Sequence, residues 1–371
     1  MTESQIFDVV VVGAGPGGAT AAANLAAEGL DVLLLERNRL PRDKPCGGGL
    51  SPKTYRLLDL DFDDLVLARP KRVTLQAPRY GPVTVESRTD SIWMIQRSAF
   101  DQRLVDHAID KGAQLRTNII VREVRAGDAA KLAEVETDGG YLRARAVIGA
   151  DGSDSVVARS VGLRSHRDRH YILALEAETT RPANTPEEAA IIDFSLARGY
   201  SWFFPKGELC NVGVGTDDRR QFRQLRQHLA RFVERHHLAF SQPLRVVGHK
   251  IPAWSRAEPL HRGNVVLVGD AAGVADPFFG EGIAYAVQTG RFAAAAVSQF
   301  CQGHWPDLTA YTISVQSVLA RDLRFWSILS QVIYRAPSLS LRLLASNRLF
   351  QRLADQAISG DKSFSKTWKK R

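Results

Sequence analysis

The sequence predicts a mixed α/β chain (α/β shading into α+β): a Rossmann-like dinucleotide-binding domain, a discontinuous β-sheet-rich second domain and a helical C-terminal region. Three observations predict it. An apolar strand, a glycine turn, a small-residue segment and a second strand ending in an acid succeed one another from Ile6 to Glu36. Apolar strands running into acid-and-glycine turns return at 146–152 and 264–273. Between them, Tyr171 to Trp254 carries mainly strand patterns. These positions set the boundaries at 1–70, 97–165 and 255–300 for the nucleotide domain, 71–96 and 166–254 for the β-rich substrate domain, and 301–371 for the helical region.

In the first unit, Gly13-Ala14-Gly15-Pro16-Gly17-Gly18 sits between the strands Ile6–Val12 and Asp31–Glu36. Gly13 permits a tight turn, Gly15 lets the backbone approach a pyrophosphate, and Gly18 allows close packing of helix on sheet; the helix start faces the phosphates. Glu36 accepts hydrogen bonds from ribose hydroxyls.

After this unit come strand patterns at Arg72–Ala77, Val83–Arg88 and Ile92–Ile95, then a helix from near Ser98 to before Gly112. A hairpin of Ile120–Val124 with Leu132–Glu136 leads into Ala146–Gly152. The β-rich stretch holds strands at Ile172–Glu178, Ala190–Ser195, Tyr200–Pro205 and Cys210–Gly215, interrupted by a helix from about Arg219 to His236. The strand Asn264–Val268 enters Gly269-Asp270-Ala271-Ala272-Gly273, and helices occupy most of the remaining chain.

Composition bounds the class. With 371 residues, 44% apolar and 24% charged, the chain reads as an ordinary soluble protein. The first strand begins almost at the N-terminus, which leaves no room for a charged leader with an apolar core, so a cytoplasmic location is expected. No apolar run approaches the roughly 20 residues that span a bilayer, so any membrane contact is peripheral, on the inner face. Cys46, Cys210 and Cys301 are far apart and odd in number, which argues against a disulfide framework or a Cys-x-x-Cys metal site. His166 and His170 have helical ligand spacing but no neighbouring acid or cysteine, so no metal is expected.

The net charge of +9 is uneven: from Arg321 to Arg371 stand eleven Lys and Arg against Asp322, Asp355 and Asp361. Mixed among them are Phe325, Trp326, Ile328, Leu329, Val332, Ile333 and Tyr334, then Leu341, Leu343, Leu344, Leu349, Phe350 and Leu353. That mixture describes an interfacial segment drawn to anionic headgroups, or else a solvated helix pair over the core. No nucleic-acid motif accompanies the charge, so no nucleic-acid partner is expected.

Three dispersed elements converge on one cofactor. Asp151 and Gly152 shape a loop near the pyrophosphate, and Asp270 accepts from ribityl or ribose hydroxyls; each acid also reads as a helix cap. The combination resembles flavoproteins of the aromatic-hydroxylase type and, within them, the geranylgeranyl reductase family. The resemblance is carried by Lys44-Pro45-Cys46-Gly47-Gly48-Gly49-Leu50-Ser51-Pro52, by Tyr200-Ser201-Trp202-Phe203-Phe204-Pro205-Lys206, and by Asp270 with Pro277-Phe278-Phe279-Gly280-Glu281-Gly282-Ile283. It implies FAD bound by Gly13, Ala14, Gly15, Pro16, Gly18, Glu36, Arg37, Cys46, Gly47, Gly48, Gly49, Arg97, Val121, Asp151, Gly152, Asp270, Gly280, Gly282 and Ile283. Arg97 matches the family position for an arginine near the FAD, and Val121 a backbone contact to the adenine.

The same residues have physical readings of their own. Three consecutive glycines expose amides and let a planar ring approach, with Cys46 at their edge; the alternative is a flexible turn with a buried cysteine. Strand alternation puts Tyr200, Trp202 and Phe204 on one face, a substrate wall that Phe278 joins, or else a core strand under a helix. The start of the helix after Gly280-Glu281-Gly282-Ile283 favours negative charge on a reduced flavin.

The resemblance implies reduction of isolated C=C bonds in a polyprenyl chain, with hydride from reduced FAD and a proton added at the other carbon. Cys46, Tyr200 and Trp202 are the catalytic candidates, with Cys46 favoured as the donor. Only one dinucleotide turn is present, so electrons arrive from transiently docked NAD(P)H or a ferredoxin-like carrier. The alternatives are an FAD monooxygenase that hydroxylates or epoxidises an apolar substrate, and a non-catalytic flavin electron relay. Against the monooxygenase, Gly273 stands where hydroxylases carry a histidine, and Gly280-Glu281-Gly282 replaces their Gly-Gln-Gly.

Overall fold

The computed structural model describes residues 5–86, 92–163, 170–185 and 188–346 of the 371. β1 (Ile6–Val12) is a run of mostly buried apolar residues, as befits a strand covered on both faces. The chain turns at Gly13 into α1 (Pro16–Ala27) and returns as β2 (Val32–Glu36), parallel to β1. Gly13 has φ +104°, and a Cβ there would lie 2.4 Å from the Ala150 carbonyl oxygen, so the turn requires glycine.

Short elements come next: β3 (Gly49–Leu50), α2 (Pro52–Leu57), the hairpin β4 (Arg72–Ala77) and β5 (Tyr80–Glu86), and β6 (Trp93–Met94), which pairs with β3. Beyond them lie α3 (Arg97–Asp110), β7 (Gln114–Thr117), β8 (Val121–Arg125), β9 (Ala133–Thr137), β10 (Gly140–Gly149) and α4 (Val156–Ser160). β10 pairs antiparallel with β9 over its first half and parallel with β1 over most of its length.

The middle of the chain supplies β11 (Ile172–Thr180), β12 (Ala189–Asp193), β13 (Gly199–Lys206), β14 (Leu209–Thr216), α5 (Leu225–Arg235) and β15 (Val247–Ile251). The chain closes with β16 (His261–Arg262), β17 (Val265–Leu267), α6 (Gly269–Ala272), α7 (Ile283–Cys301), α8 (Thr309–Arg335) and α9 (Pro337–Ser346).

Two large sheets result. One has the order β16-β17-β10-β1-β2-β7, with the β8–β9 hairpin attached to β10, and its pairs from β17 to β7 are parallel. The other runs β15-β11-β14-β13-β12-β4-β5 and is antiparallel except where β12 meets β4. Leu225, Leu229 and Phe232 of α5 pack with Phe203, Val212 and Val214 against one face of this second sheet.

α1 and α7 cross closely over the parallel sheet. A Cβ on Gly290 would lie 2.4 Å from the Gly17 carbonyl oxygen, and one on Gly18 would lie 1.9 Å from the Gly13 carbonyl oxygen. The glycine- and alanine-rich sequences of both helices are what permit this approach.

Three elements differ from the sequence expectation. The strand expected at Val83–Arg88 begins at Tyr80, and Ser87 and Arg88 lie outside the described residues. The helix expected from about Arg219 to His236 opens as a 3₁₀ turn to Gln224 and becomes α5 at Leu225; Asp218 accepts the Arg220 N–H, and no residue of the turn is buried, although Phe222 and Arg219 rest on the Tyr171 ring. The strand expected at Ile92–Ile95 reduces to Trp93–Met94. His166, Leu349, Phe350, Leu353 and the basic residues from Arg348 onward lie outside the described residues. Among the described residues, no helix is long and apolar enough to cross a membrane.

Candidate active site

The carboxyl ends of β1, β10 and β17 open onto a cavity of about 250 Å³, the position where open parallel sheets bind ligands. Across it stands the face of the second sheet that α5 leaves uncovered. Gly15 and Pro16, Cys46 to Gly49, Arg97, Gly152, Tyr200, Trp202, Phe204, Asp270, Gly280, Gly282 and Ile283 all line this one space.

Other residues singled out in the sequence lie behind that lining. Glu36 is buried at the end of β2; its carboxylate accepts the Ala14 N–H (3.2 Å) and the Asn38 N–H (3.1 Å). Arg37 is exposed, and Val121, the first residue of β8, is buried. Asp151 caps α4, accepting from the Ser155 hydroxyl (2.5 Å) and the N–H groups of Val156 and Val157, while its neighbour Gly152 faces the cavity. Phe278 lies in the apolar cluster behind the cavity, stacked on Phe194, and Phe279 takes the lining position. His170 lies 3.2 Å from Asp217.

The three glycines after Cys46 answer to protein neighbours. A Cβ on Gly47 would press on the Phe204 ring at 3.1 Å, one on Gly49 would touch Ile92 at 3.0 Å, and Gly48, at φ +76°, would meet the Ile95 carbonyl oxygen at 2.4 Å. The loop is thus held flat against β13.

The lining fits an extended dinucleotide with a planar ring. α1 and α7, 12 and 19 residues long, both begin at this cavity without a side-chain cap, leaving amide dipoles for anionic or carbonyl oxygens. A Cβ on Gly15 would find only Arg42 Nη2, at 3.8 Å, so the space before α1 is open.

A buried chain of charges runs beneath this lining. Arg42 bridges Glu36 (3.2 Å) and Asp101 (2.9 Å), and Asp101 takes Arg97 through two bonds of 2.8 Å. Burial opposes the Arg97 charge, but Asp101 and the Cys46 sulfur outweigh it and hold the guanidinium protonated. Burial likewise pushes Asp101 up, and Arg97 and Arg42 hold it below the usual carboxylate range. Against the same effect of burial, Asp270 is held down by Lys44, 3.4 Å away, with His249 and Arg97 adding to the effect.

Cys46 is fixed from both sides of its peptide. Its N–H donates to Glu176 (2.6 Å), its carbonyl accepts from Asn211 (3.4 Å), and its Sγ accepts from the Gly48 N–H (3.4 Å). Asn211 also accepts the Trp202 indole N–H at 2.7 Å. Burial raises the Glu176 carboxyl above its ordinary range. Tyr200 donates its hydroxyl to the Phe279 carbonyl at 2.6 Å, and burial followed by the charge of Asp276 raises that phenol.

Sequence reasoning missed Glu176, Asn211, Asp276 and His249, and it set Trp326 in an interfacial or core-covering segment, whereas that ring lines the cavity. Asn211, within the buried run of β14, was the available signal: a buried amide demands partners. Asp276 is 2% exposed and accepts from the N–H groups of Phe278 (2.7 Å), Phe279 (3.0 Å) and Glu281 (3.4 Å). Burial, with Glu281 adding, pushes it up to about 7.

Comparison with known proteins places these features. An FAD binding domain family matches residues 7–309. Menaquinone reductase of Mycobacterium tuberculosis is 30% identical over 97% of this chain and 94% of its own length. Geranylgeranyl diphosphate reductase of Rhodobacter capsulatus is 32% identical over 81% of this chain and 77% of its own. A geranylgeranyl bacteriochlorophyll reductase-like protein from Thermoplasma acidophilum has the same fold, with a TM-score of 0.84 at 24% identity and 98% of both chains covered.

Proposed function

The chain belongs to the geranylgeranyl reductase family of FAD-dependent oxidoreductases, and on that premise we propose that it saturates isolated C=C bonds of a polyprenyl chain carried by a lipid, quinone or pigment precursor. The observation that carries this reading is the meeting of Cys46 and the rings of Tyr200, Trp202 and Phe204 in a single cavity. FAD, when bound and reduced, supplies a hydride, and NAD(P)H or a ferredoxin-like carrier restores it.

In this reading residues 1–70, 97–165 and 255–300 bind FAD, and 71–96 with 166–254 cover the substrate. Gly13, Ala14, Gly15, Pro16 and Gly18 form the diphosphate turn, Glu36 and Arg37 serve the ribose side, and Val121 the adenine. Gly152, Asp270 and Arg97, which line the cavity, would hold FAD, with Asp151 shaping the first of these turns. The amides of Gly282 and Ile283 at the start of α7 attract negative charge at the ring, whereas Gly280, whose N–H is spent on the Asp276 carbonyl, lines the space beside it.

An unactivated alkene offers no carbonyl to polarise, so the protein supplies dryness, alignment and an acid. Tyr200, Trp202 and Phe204 exclude water and align the chain, backed by Phe278. Cys46 would give its Sγ proton to one alkene carbon and bound, reduced FAD would supply the hydride for the other, so that one C=C π bond becomes two C–H bonds. The Gly48 N–H and Arg97 then stabilise the thiolate until solvent returns the proton. The Tyr200 hydroxyl, turned to the Phe279 carbonyl, is the less suited donor. The basic C-terminal region, 301–371, makes a peripheral contact on the inner face of the membrane.

The test is anaerobic reoxidation of the reduced flavoprotein by geranylgeranyl diphosphate or a short-chain menaquinone in detergent. A product two mass units heavier per reduced bond supports the proposal. Turnover only with oxygen, giving an oxygenated product, overturns it in favour of the monooxygenase.

A further inference from the structure

The second half of α8 presents one face to solvent. Arg321, Arg324, Phe325, Ile328, Gln331, Val332 and Arg335 are all exposed, at the 3-4-7 spacing of a single helical face. Phe325, Ile328 and Val332 are 54%, 64% and 57% exposed, and α9 extends the apolar patch with Leu339 at 57% and Leu343 at 44%. Charge on this part of α8 and α9 is one-signed: Arg321, Arg324, Arg335 and Arg342 stand against Asp322, which turns inward to Lys53 at 3.9 Å.

The inner face of the same helix belongs to the cavity, which Trp326 lines. From the exposed patch a series of ring contacts runs inward. Phe325 touches Trp326 (centroids 5.4 Å apart), Trp326 touches Phe279 (6.0 Å), Phe279 touches Tyr200 (6.2 Å), Tyr200 touches Trp202 (5.6 Å) and Trp202 touches Phe204 (6.2 Å). Phe204 in turn stands against Gly47, beside Cys46.

We infer that the α8–α9 face seats on an anionic bilayer, and that an apolar chain passes from the lipid into the cavity along this series of rings. Apolar residues flanked by arginines on one helical face are what an interfacial helix needs, and the arginines select anionic headgroups. A second copy related by a twofold axis would bring arginines against arginines, which the same charges oppose. The passage of substrate rests on the polyprenyl-reductase reading, whereas the bilayer contact rests on the surface alone.

The experiment uses the full-length flavoprotein and a triple variant, Ile328→Gln, Val332→Gln and Leu339→Gln. Both are floated with phosphatidylcholine vesicles, with and without phosphatidylglycerol. Wild type rises with the anionic vesicles and is released by high salt; the variant stays behind with unchanged flavin content and melting temperature. Turnover of a prenylated quinone delivered in anionic vesicles falls roughly ten-fold or more in the variant, while turnover in detergent is unchanged. Flotation equal to wild type, or equal losses in vesicles and detergent, overturns the inference. So does a wild-type dimer that the variant dissociates, because the face then belongs to a second copy. Absence of polyprenyl turnover by wild type in either form would defeat the reductase reading, and flotation would still decide the bilayer contact.

Discussion

Replacing Asp276 by Asn isolates a buried carboxyl at the cavity wall. Burial moves this group from 3.8 to about 7. Because the folded value lies above the unfolded one, the native state holds a proton that the unfolded chain has already released. The stabilisation is fully present below about pH 4 and is lost as pH rises through about 7. The slope is about 1.4 kcal/mol per pH unit, which gives roughly 4 kcal/mol in all and about 2 kcal/mol between pH 5 and pH 7. Asp276→Asn is neutral throughout, and it disturbs the bonds from Phe278, Phe279 and Glu281 by an amount that does not vary with pH. Urea unfolding of both flavoproteins at pH 5, 6, 7 and 8 therefore gives stability curves that converge, wild type losing about 2 kcal/mol relative to the variant between pH 5 and 7. Parallel curves would refute the reasoning.

Cys46→Ser retains FAD but loses roughly 100-fold or more in the rate at which a prenyl substrate reoxidises the reduced flavin, measured by anaerobic rapid mixing. Glu176→Ala frees the Cys46 amide and speeds alkylation of the Cys46 thiol; mass spectrometry reads one site, because Cys210 and Cys301 are buried with thiols pushed up to about 12 and about 11. Gly48→Ala places a Cβ at φ +76° against the Ile95 carbonyl, lowering stability by about 2 kcal/mol or more and reducing bound flavin, read from the melting temperature and the visible spectrum. Gly290→Leu drives a side chain into the Gly17 carbonyl and prevents accumulation of folded flavoprotein, read by soluble yield.

The parallel sheet was legible in the sequence because β1, the first glycine turn and β2 are adjacent and each states its own conformation. Class and family were legible for the same reason: Cys46 to Gly49 and Tyr200 to Lys206 are local words. What holds those words together was not. Glu176 and Asn211 meet the Cys46 peptide across 130 and 165 residues of chain, and strand alternation does not say which loop a buried acid will find. Glycine itself hides its reason. Gly15 leaves open space and Gly48 avoids a carbonyl, yet the letter is the same. Phe278 and Phe279 illustrate the limit at its smallest scale, since one residue of register decides which ring reaches the cavity.

The crossing of α1 and α7 bears on how the protein is made. Gly17 and Gly290 meet, so α1 waits for α7, far along the chain, before its small-residue face is covered. β17, the strand beyond β10, likewise emerges only after the whole second sheet. At ribosomal speeds the interval between β10 and the end of α7 is roughly 8 to 30 s. During that interval the nascent nucleotide half exposes an unpaired edge of β10 and the bare side of α1. The second sheet is complete before β17 and α7 emerge, and the cavity is walled only once Trp326 of α8 has followed, so a stall before residue 300 leaves an aggregation-prone half-sheet for chaperones to shield.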